Sequence, residues 1–169
     1  MQHFKTIDIF SLTENAFAML DKDWMLVAAG TKDNYNMMTA SWGGFGVLWK
    51  KPVAFVFIRP QRHTYQFVES NDYLTLSFFS EKYRDILTLL GTKSGKEINK
   101  MNIEGLSVVE TSLKNISFQE SRLFFECKKL YHDDIKPAHF LLPEIDKNYP
   151  IKDYHRMYIC EIINAFKAE

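Results

Sequence analysis

The sequence of 169 residues predicts a mainly β protein, an antiparallel barrel that is closed or half closed and has helices outside it. Three kinds of observation support this fold class. About six or seven short segments are rich in β-branched and aromatic residues, few segments have helical periodicity, and Phe, Tyr and Trp make up 15% of the chain. Hydrophobic residues make up 46%, enough for a core, and the length suits one domain over residues 1–169.

The strands are predicted from composition and from alternation. Two segments, at 24–31 and 53–58, are continuous apolar runs, which is typical of strands covered on both faces. Asp33 and Asn34 suit a tight turn that would pair the first two strands. The segment at 73–79 alternates with the period of two of a half-buried strand. In chain order, the predicted strands are 24–31, 36–42, 53–58, 73–79, 115–121, 122–134 and 156–168.

The helices and loops are predicted from caps, apolar stripes and glycines. Ser11 or Thr13 can cap a first helix that carries an apolar stripe. A short helix follows Pro60, and residues 81–90 form an amphipathic helix. Two stretches are predicted to be irregular, the first with the option of a short helix: 43–52 and 91–105.

Charge and cysteine content restrict the partners and the compartment. The formal net charge is 0, so nothing draws the whole chain to nucleic acid or to an anionic membrane. Cys127 and Cys160 lie in apolar stretches without metal-type spacing, which indicates reduced thiols. The first residues lack a signal-peptide pattern, and no apolar run approaches the ~20 residues of a membrane span. We therefore expect a cytoplasmic protein without nucleic-acid or membrane partners.

The stretch IRPQRHT, residues 58–64, is the clearest candidate for an anion site. It joins the end of a buried strand to the start of a helix. Arg59 and Arg62 can form a bidentate fork on a phosphate, and Thr64 can donate its hydroxyl beside the first N–H groups of the helix. The alternative is an exposed turn with solvated arginines.

A second basic segment, TKSGKEINK, could close over an anion. Ser94 and Gly95 can form a tight turn with exposed N–H groups, and Lys96 and Lys100 lie one helical turn apart. The alternative for this segment is a solvated loop.

The strand NMMTASW, residues 36–42, carries small hydroxyls between large apolar residues. Thr39 and Ser41 lie on one side of an extended chain, opposite Met38, Ala40 and Trp42. Such a strand could hydrogen-bond the rim of a flat heterocycle, with Met and Trp side chains against its faces. The alternative is an ordinary half-buried strand.

Other candidates carry little chemistry. His132 and His139 flank two aspartates, but their spacing matches no metal motif and Pro137 breaks the register between them. His155 precedes the last strand and could line a site, a subunit interface or a surface turn. The chain lacks GxGxxG and GxxxxGK[ST], so a nucleotide is not bound in the Rossmann or P-loop manner.

Taken in order, these segments resemble the flavin reductase-like, FMN-binding split-barrel family, which includes the flavoredoxins. Residues 33–42, 50–79 and 91–101 carry the resemblance, and residues 153–162 support it more weakly. The similarity covers roughly residues 12–165, nearly the whole chain.

The resemblance implies a six-stranded antiparallel split barrel that forms a homodimer and holds FMN near the subunit interface. It also implies that the strand at 36–42 runs beside the isoalloxazine, that residues 59–65 lie by the ribityl phosphate, and that the loop at 94–100 closes over the cofactor. No catalytic side chain is required, because the flavin carries the hydride and electron chemistry. The implied cofactor-binding residues are Asn36, Met37, Met38, Thr39, Ala40, Ser41, Trp42, Arg59, Arg62, His63, Thr64, Tyr65, Ser94, Gly95, Lys96 and Lys100.

The sequence departs from the family pattern in two places. The family loop commonly reads Ser-Gly-Arg-Asp, whereas this chain has Lys96 and Glu97 after Ser-Gly. Lysine keeps the charge but cannot fork a phosphate as arginine does. The last strand commonly has Gly before its Glu, and here Cys160 precedes Glu161.

The predicted function is an FMN-binding oxidoreductase that either reduces flavin with NAD(P)H or carries electrons as a flavoredoxin does. One alternative is a flavin-storage protein without enzymatic activity. Another is a split barrel that binds pyridoxal phosphate or haem, since Arg59 and Arg62 would serve pyridoxal phosphate equally well. An OB-like nucleic-acid module is disfavoured by the net charge of 0.

Overall fold

An antiparallel sheet dominates the structure, a computed structural model that describes residues 3–169. Its long strands are runs of Val, Ile, Phe and Tyr, the residues that pack best on a pleated surface. The strands are β1 (Phe4–Ile7), β2 (Met25–Thr31), β3 (Asn34–Ala40), β4 (Gly43–Leu48), β5 (Lys51–Ile58), β6 (Tyr73–Phe78), β7 (Val108–Glu110), β8 (Ile116–Phe118), β9 (Leu123–Asp134) and β10 (Arg156–Ala168).

The strand order of the main sheet is β3-β2-β6-β9-β10-β5-β4, and β1 also pairs with β10. All these pairings are antiparallel, and β7 and β8 form a separate two-stranded sheet. The mainly β class with an antiparallel sheet is therefore confirmed. The resemblance implied six strands, and the main sheet contains eight within residues 3–169. Strands β3 and β4 lie at the two ends of this path and are joined by Ser41 and Trp42.

The helices are short and lie outside the sheet. They are α1 (Ala16–Ala18), α2 (His63–Ser70) and α3 (Arg84–Thr92). Within residues 3–169, no helix is long and apolar enough to cross a membrane. A π-helical turn covers Met19–Asp23, and 3-10 turns cover Ile9–Ser11, Glu81–Tyr83, Lys100–Asn102, Pro137–His139 and Pro143–Asn148.

The first helix begins later than the sequence predicted. Asn15, not Ser11 or Thr13, is its cap, because the Asn15 Oδ1 accepts hydrogen bonds from the main-chain N–H groups of Phe17 and Ala18 at 3.0 and 3.1 Å. The Ser11 hydroxyl donates instead to a main-chain carbonyl in the preceding 3-10 turn.

The stretch 43–52, predicted to be irregular or helical, contains the edge strand β4 and the start of β5 instead. Strand β4 pairs with β5 from Gly43 opposite Val56 to Leu48 opposite Lys51. A Cβ on Gly43 would stand 2.7 Å from the Phe55 carbonyl oxygen, so glycine is what allows β4 to approach β5. The glycines that suggested an irregular segment are therefore part of a strand.

Two apolar clusters lie on opposite faces of the β2–β3 hairpin. The larger cluster fills the inside of the sheet and includes Met38 and Ala40 from β3. The smaller lies between this hairpin and α3 and includes Met37 and Leu87. The predicted alternation is therefore confirmed for Met38, Thr39 and Ala40, and the face that carries Thr39 packs against α3. The strand ends at Ala40, however, so Ser41 and Trp42 lie in the connection to β4 and not in the strand predicted at 36–42.

Candidate functional site

Two cavities lie at the end of strand β3, and Thr39 and Ser41 line both of them. We call one, of about 150 Å³, the polar cavity, and the other, of about 210 Å³, the apolar cavity. The polar cavity is lined by Met38, Thr39, Ala40, Ser41, Trp42, Phe57, Arg59 and His155. The apolar cavity is lined by Trp24, Thr39, Ser41, Leu87, Thr88, Gly91 and Thr92. An open cleft of about 740 Å³ also borders Ser41 and Trp42.

Arg59 borders the polar cavity and binds residues 148–153, the chain segment before β10. Its Nη1 donates to the Asp153 carboxylate at 2.8 Å, its Nη2 donates to the Asn148 carbonyl at 3.0 Å, and its guanidinium lies 5.1 Å from the centre of the Tyr149 ring. The side chain of Gln61 donates to the same carboxylate. Burial alone would raise the pKa of Asp153, but the hydrogen bonds from Arg59 and Gln61 bring it below its usual value.

Arg62 and Lys100 meet at the C-terminal end of helix α3. The Arg62 Nη1 donates to the Gly91 carbonyl at 2.7 Å, and the Lys100 Nζ donates to the carbonyls of Leu90 and Met37 at 2.8 and 3.0 Å. Helix carbonyls at this end carry partial negative charge, which stabilises both cations. We call Arg62 and Lys100 the cation pair.

Burial and neighbouring positive charge both disfavour the charged forms of the cation pair. Lys100 is 2% exposed. Its pKa is lowered to about 8, chiefly by burial and next by the charge of Arg62, while Glu97 opposes the shift. The pKa of Arg62 is lowered as well, by burial and by Arg59. The contacts described above are to main-chain carbonyls, so an anion bound here would relieve the repulsion.

The fork that the sequence predicted for Arg59 and Arg62 is not formed in this structure. Arg59 pairs with Asp153, whereas Arg62 turns to the end of α3. The sequence could not foresee this because both partners come from distant parts of the chain. A role in phosphate binding stays a prediction for each arginine.

Four predicted residues pack together at the start of helix α2. The Thr64 hydroxyl donates to the Asn36 Oδ1 at 2.9 Å, and both side chains are buried. A Cβ on Gly95 would collide with the Asn36 amide and stand 2.6 Å from the His63 ring. The buried His63 Nδ1 has no hydrogen-bond partner within residues 3–169. We call this cluster the α2 cradle, and it offers an unsatisfied nitrogen where an acceptor or donor from a ligand could bind.

The rest of the 94–97 loop is held by local hydrogen bonds. The Ser94 N–H donates to the Glu97 carboxylate at 2.7 Å, and the Ser94 Oγ accepts from the Lys96 N–H at 3.2 Å. The Lys96 side chain is exposed. The guanidinium of Arg156 lies 5.5 Å from the centre of the Tyr65 ring. Tyr65 lines neither cavity.

His155 is a buried histidine at the wall of the polar cavity. Its Nδ1 is 2.9 Å from the Tyr149 hydroxyl, and its ring centre is 5.2 Å from that of Trp42 and 6.4 Å from that of Phe57. Burial and then the positive charge of Arg59 lower its pKa to about 4. The ring is therefore neutral at pH 7 and has one N–H donor.

The structure divides the predicted cofactor-binding residues into three groups. Residues 38–42 and Arg59 line the polar cavity, and Thr39 and Ser41 also line the apolar cavity. The α2 cradle lies beside the cation pair, and the remaining predicted residues join neither group: Met37, Tyr65, Ser94 and Lys96. The site also contains residues that the sequence reasoning did not select. Phe57 directly precedes the predicted anion site at 58–64, and His155 was named only as one that could line a site, an interface or a surface turn. The residues that were not selected are Trp24, Phe57, Leu87, Tyr149, Asp153 and His155.

Metal and thiol chemistry find no support here. Within the part of the chain that the structure describes, no group of three or more His, Cys, Asp or Glu side chains could hold a metal ion. Cys127 and Cys160 are buried free thiols. Burial raises the pKa of Cys160 to about 12, so this thiol stays protonated at neutral pH.

Comparison with known proteins identifies the family. Residues 20–168 match the family model described as flavin reductase like domain. This chain therefore belongs to the flavin reductase-like family, as the sequence resemblance predicted. No curated protein sequence matches it.

Solved structures share the fold at low sequence identity. The FMN-binding protein from Thermus thermophilus with bound p-hydroxybenzaldehyde superposes with a TM-score of 0.69 and 15% identity, over 96% of this chain and 83% of its own. The flavoredoxin from Methanosarcina acetivorans gives 0.68 and 19%, over 96% and 77%. The flavoredoxin of Desulfovibrio vulgaris (Miyazaki F) gives 0.67 and 21%, over 96% and 76%. At these identities the likeness establishes the fold.

Proposed function

We propose that this chain binds FMN at the end of β3 and acts as a flavin-dependent oxidoreductase. The observation that carries the proposal is that Thr39 and Ser41 line two neighbouring cavities of different chemical character. A flavin ring has one polar edge and one apolar edge, so it needs such a pair of surroundings. Family membership and the FMN-binding neighbours support the choice of flavin.

The cation pair and the α2 cradle would hold the phosphate of FMN. Arg62 and Lys100 supply positive charge. Burial and then a neighbouring arginine lower the pKa of each, so a bound anion would favour their charged forms. The start of helix α2 adds main-chain N–H groups, and His63 adds a nitrogen without a partner. These groups suit a phosphate because the two cations and the helix N–H groups bind negative charge, and a phosphate oxygen could pair with the His63 nitrogen.

The bound flavin would supply the hydride and electron transfer. The chain's own residues orient the ring and set the charge around it. Arg59 is paired with Asp153, so it would offer the polar cavity its remaining N–H donors, which favour the negative charge that the polar edge of the ring gains on reduction. His155, neutral at pH 7, can donate one hydrogen bond there if its Nδ1 accepts from Tyr149. The Thr39 hydroxyl donates its hydrogen to the Leu87 carbonyl at 2.6 Å, so it has no hydrogen left to donate to the flavin.

Spectroscopic titration tests the proposal. The chain prepared without cofactor should shift and sharpen the visible absorption of added FMN, and heat should release FMN from protein purified with its cofactor. Pyridoxal phosphate or haem would give different spectra, which separates these alternatives. A chain that leaves the FMN spectrum unchanged would contradict the proposal.

We also propose NAD(P)H as the co-substrate, in preference to a role as a pure electron carrier or a flavin store. The open cleft beside Trp42, about 740 Å³ in volume, leaves room for a second ring next to the flavin site. Stopped-flow mixing with NADH or NADPH should bleach the bound flavin quickly. Flavin that stays oxidised with both donors would favour the carrier or the store.

We propose a homodimer as the working form. Apolar side chains at the edge strand β4 and the nearby N-terminal segment stand in solvent, with Val47 65% and Phe10 68% exposed. A second copy of the chain would cover them. Light scattering should give twice the chain mass of 19.9 kDa, and a monomer at micromolar concentration would contradict the proposal.

A further inference from the structure

We infer that the apolar cavity takes the dimethylbenzene edge of the flavin, with Trp24 as its wall, so that Trp24 is a specificity-determining residue. This inference rests on the proposed function and goes beyond it, because it fixes the direction in which the ring lies. The polar pyrimidine edge is then left to the polar cavity.

The apolar cavity has few polar atoms free to bind a ligand. Four of its lining residues carry hydroxyls, and three of these hydroxyls donate to main-chain carbonyls. Thr39 donates to Leu87 at 2.6 Å, while Thr88 and Thr92 each donate back along helix α3 at 2.9 Å. The polar edge of a flavin would lose its hydrogen bonds with water here and gain few in return. The methyl-bearing edge has no hydrogen bonds to lose.

The polar cavity has the opposite character. Arg59 brings a guanidinium and His155 an imidazole to its wall. The pyrimidine edge of a flavin carries carbonyl oxygens and ring nitrogens that accept and donate hydrogen bonds. Placing this edge in the polar cavity satisfies both the ligand and the wall.

Trp24 is held at the apolar cavity by an unusual backbone conformation. Its φ of 65° and ψ of 160° lie in a region that bulky residues rarely adopt. Such outliers persist where surrounding contacts impose them and often mark functional positions. Two contacts hold the indole here. Its Nε1 donates to the Asp21 carbonyl at 3.1 Å, and the guanidinium of Arg84 lies 4.1 Å from the ring centre.

These contacts leave the indole with only carbon to offer a ligand. Because its single N–H is bonded to Asp21, Trp24 cannot hydrogen-bond a group in the cavity. Arg84 is itself bonded to Glu81 at 3.0 Å and to the Lys22 carbonyl, so the guanidinium that lies over the indole is held in place as well. A fixed aromatic wall selects a flat apolar edge and limits the size of its substituents.

Nuclear Overhauser contacts measured on the wild-type chain with bound FMN test the orientation. The two methyl groups of the ring should give contacts to the Trp24 ring protons and none to those of Trp49, which lies at the β4–β5 turn and serves as an internal control. Trp24→Phe, Trp42→Phe and Trp49→Phe assign the three indole signals. Methyl contacts to Phe57 or His155 in place of Trp24 would overturn the inference.

Affinity measurements supply a second test, with lumiflavin as a probe that has the ring but no phosphate. Trp24→Ala should weaken lumiflavin and FMN by the same factor, roughly 3- to 10-fold, while the matched Trp49→Ala should change neither. Wild-type affinity in Trp24→Ala would overturn the inference while leaving flavin binding intact. A wild-type chain that binds neither probe would instead refute the proposed function and, with it, this inference.

Discussion

The polar and the apolar cavity share Thr39 and Ser41, yet they are built in different ways. The polar cavity draws on Arg59 and His155, which lie far apart in sequence and meet through the β5–β10 pairing. The apolar cavity draws mainly on helix α3, which packs directly on β3. One strand end presents two chemistries because the Arg59 guanidinium and the neutral His155 ring line one cavity, whereas three of the four hydroxyls that line the other cavity donate to main-chain carbonyls.

The largest expected effect comes from removing the Arg59 guanidinium, which pairs with Asp153 beside the polar cavity. Arg59→Met leaves the Asp153 carboxylate, which is 8% exposed, without its cation. We expect the free energy of unfolding to fall by about 2–3 kcal/mol at pH 7, below the value for a fully buried pair because Arg59 is 26% exposed. Chemical denaturation of the variant and the wild type measures this difference.

The same variant has a pH signature. The fold lowers the pKa of Asp153, so its contribution to stability is present above the unfolded pKa of about 3.9 and is lost as pH falls through the folded value. The gap between wild type and Arg59→Met should therefore narrow below about pH 4. An unchanged gap in acid would mean that Arg59 stabilises the fold by packing alone.

The next effect separates the phosphate end of the ligand from the ring end. Arg62→Gln should weaken FMN roughly 10- to 100-fold and riboflavin, which lacks the phosphate, by no more than about 2-fold, since a charged hydrogen bond contributes about 1.5–3 kcal/mol. Calorimetric titration of both ligands measures the ratio, with the exposed Lys93→Gln as the matched control. Equal losses for the two ligands would show that Arg62 supports the fold and not the phosphate.

A smaller effect is expected from His155 in acid. Its folded pKa of about 4 lies below the unfolded value of 6.5, so the unfolded chain takes up the proton first as pH falls. Stability should be lost between pH 6.5 and 4, by about 1–3 kcal/mol, and His155→Gln should lose less over this range. Denaturation curves at pH 7 and 4.5 measure it, with the exposed His139→Gln as control. The interpretation fails if both variants follow the wild type.

The smallest expected effect concerns the hydroxyl of Thr39, a residue that lines both cavities. Thr39→Val removes the hydrogen bond to Leu87 and should lower the free energy of unfolding by about 1 kcal/mol. The FMN affinity of this variant should stay within about 2-fold of the wild-type value, because the hydroxyl donates to Leu87 and not to the flavin. A Thr39→Val variant with strongly weakened FMN would mean that the hydroxyl turns to the flavin on binding.

Much of the fold could be predicted because its signals are local. The β2–β3 hairpin follows from an apolar run and a tight turn, although the turn lies at Lys32 and Asp33, one residue before the predicted Asp33 and Asn34. The alternation along β3 predicted which face carries Thr39. Strand β4 could not be predicted, because its glycines suggest a loop, whereas Gly43 is what lets this edge strand approach the Phe55 carbonyl.

The site was less predictable because its partners are distant in sequence. The sequence singled out Arg59 and Arg62, but the partners that separate them, Asp153 and the end of α3, are brought near only by tertiary structure. Trp24 gave no signal at all, because a positive φ cannot be read from residue type when the residue is not glycine.

A crystal structure of the chain with bound FMN tests the central claim most directly. The account predicts the ring at the end of β3, its methyl edge against Trp24 and its phosphate between the cation pair and the α2 cradle. Electron density for FMN elsewhere on the surface, with Thr39 to Trp42 uncovered, would contradict it.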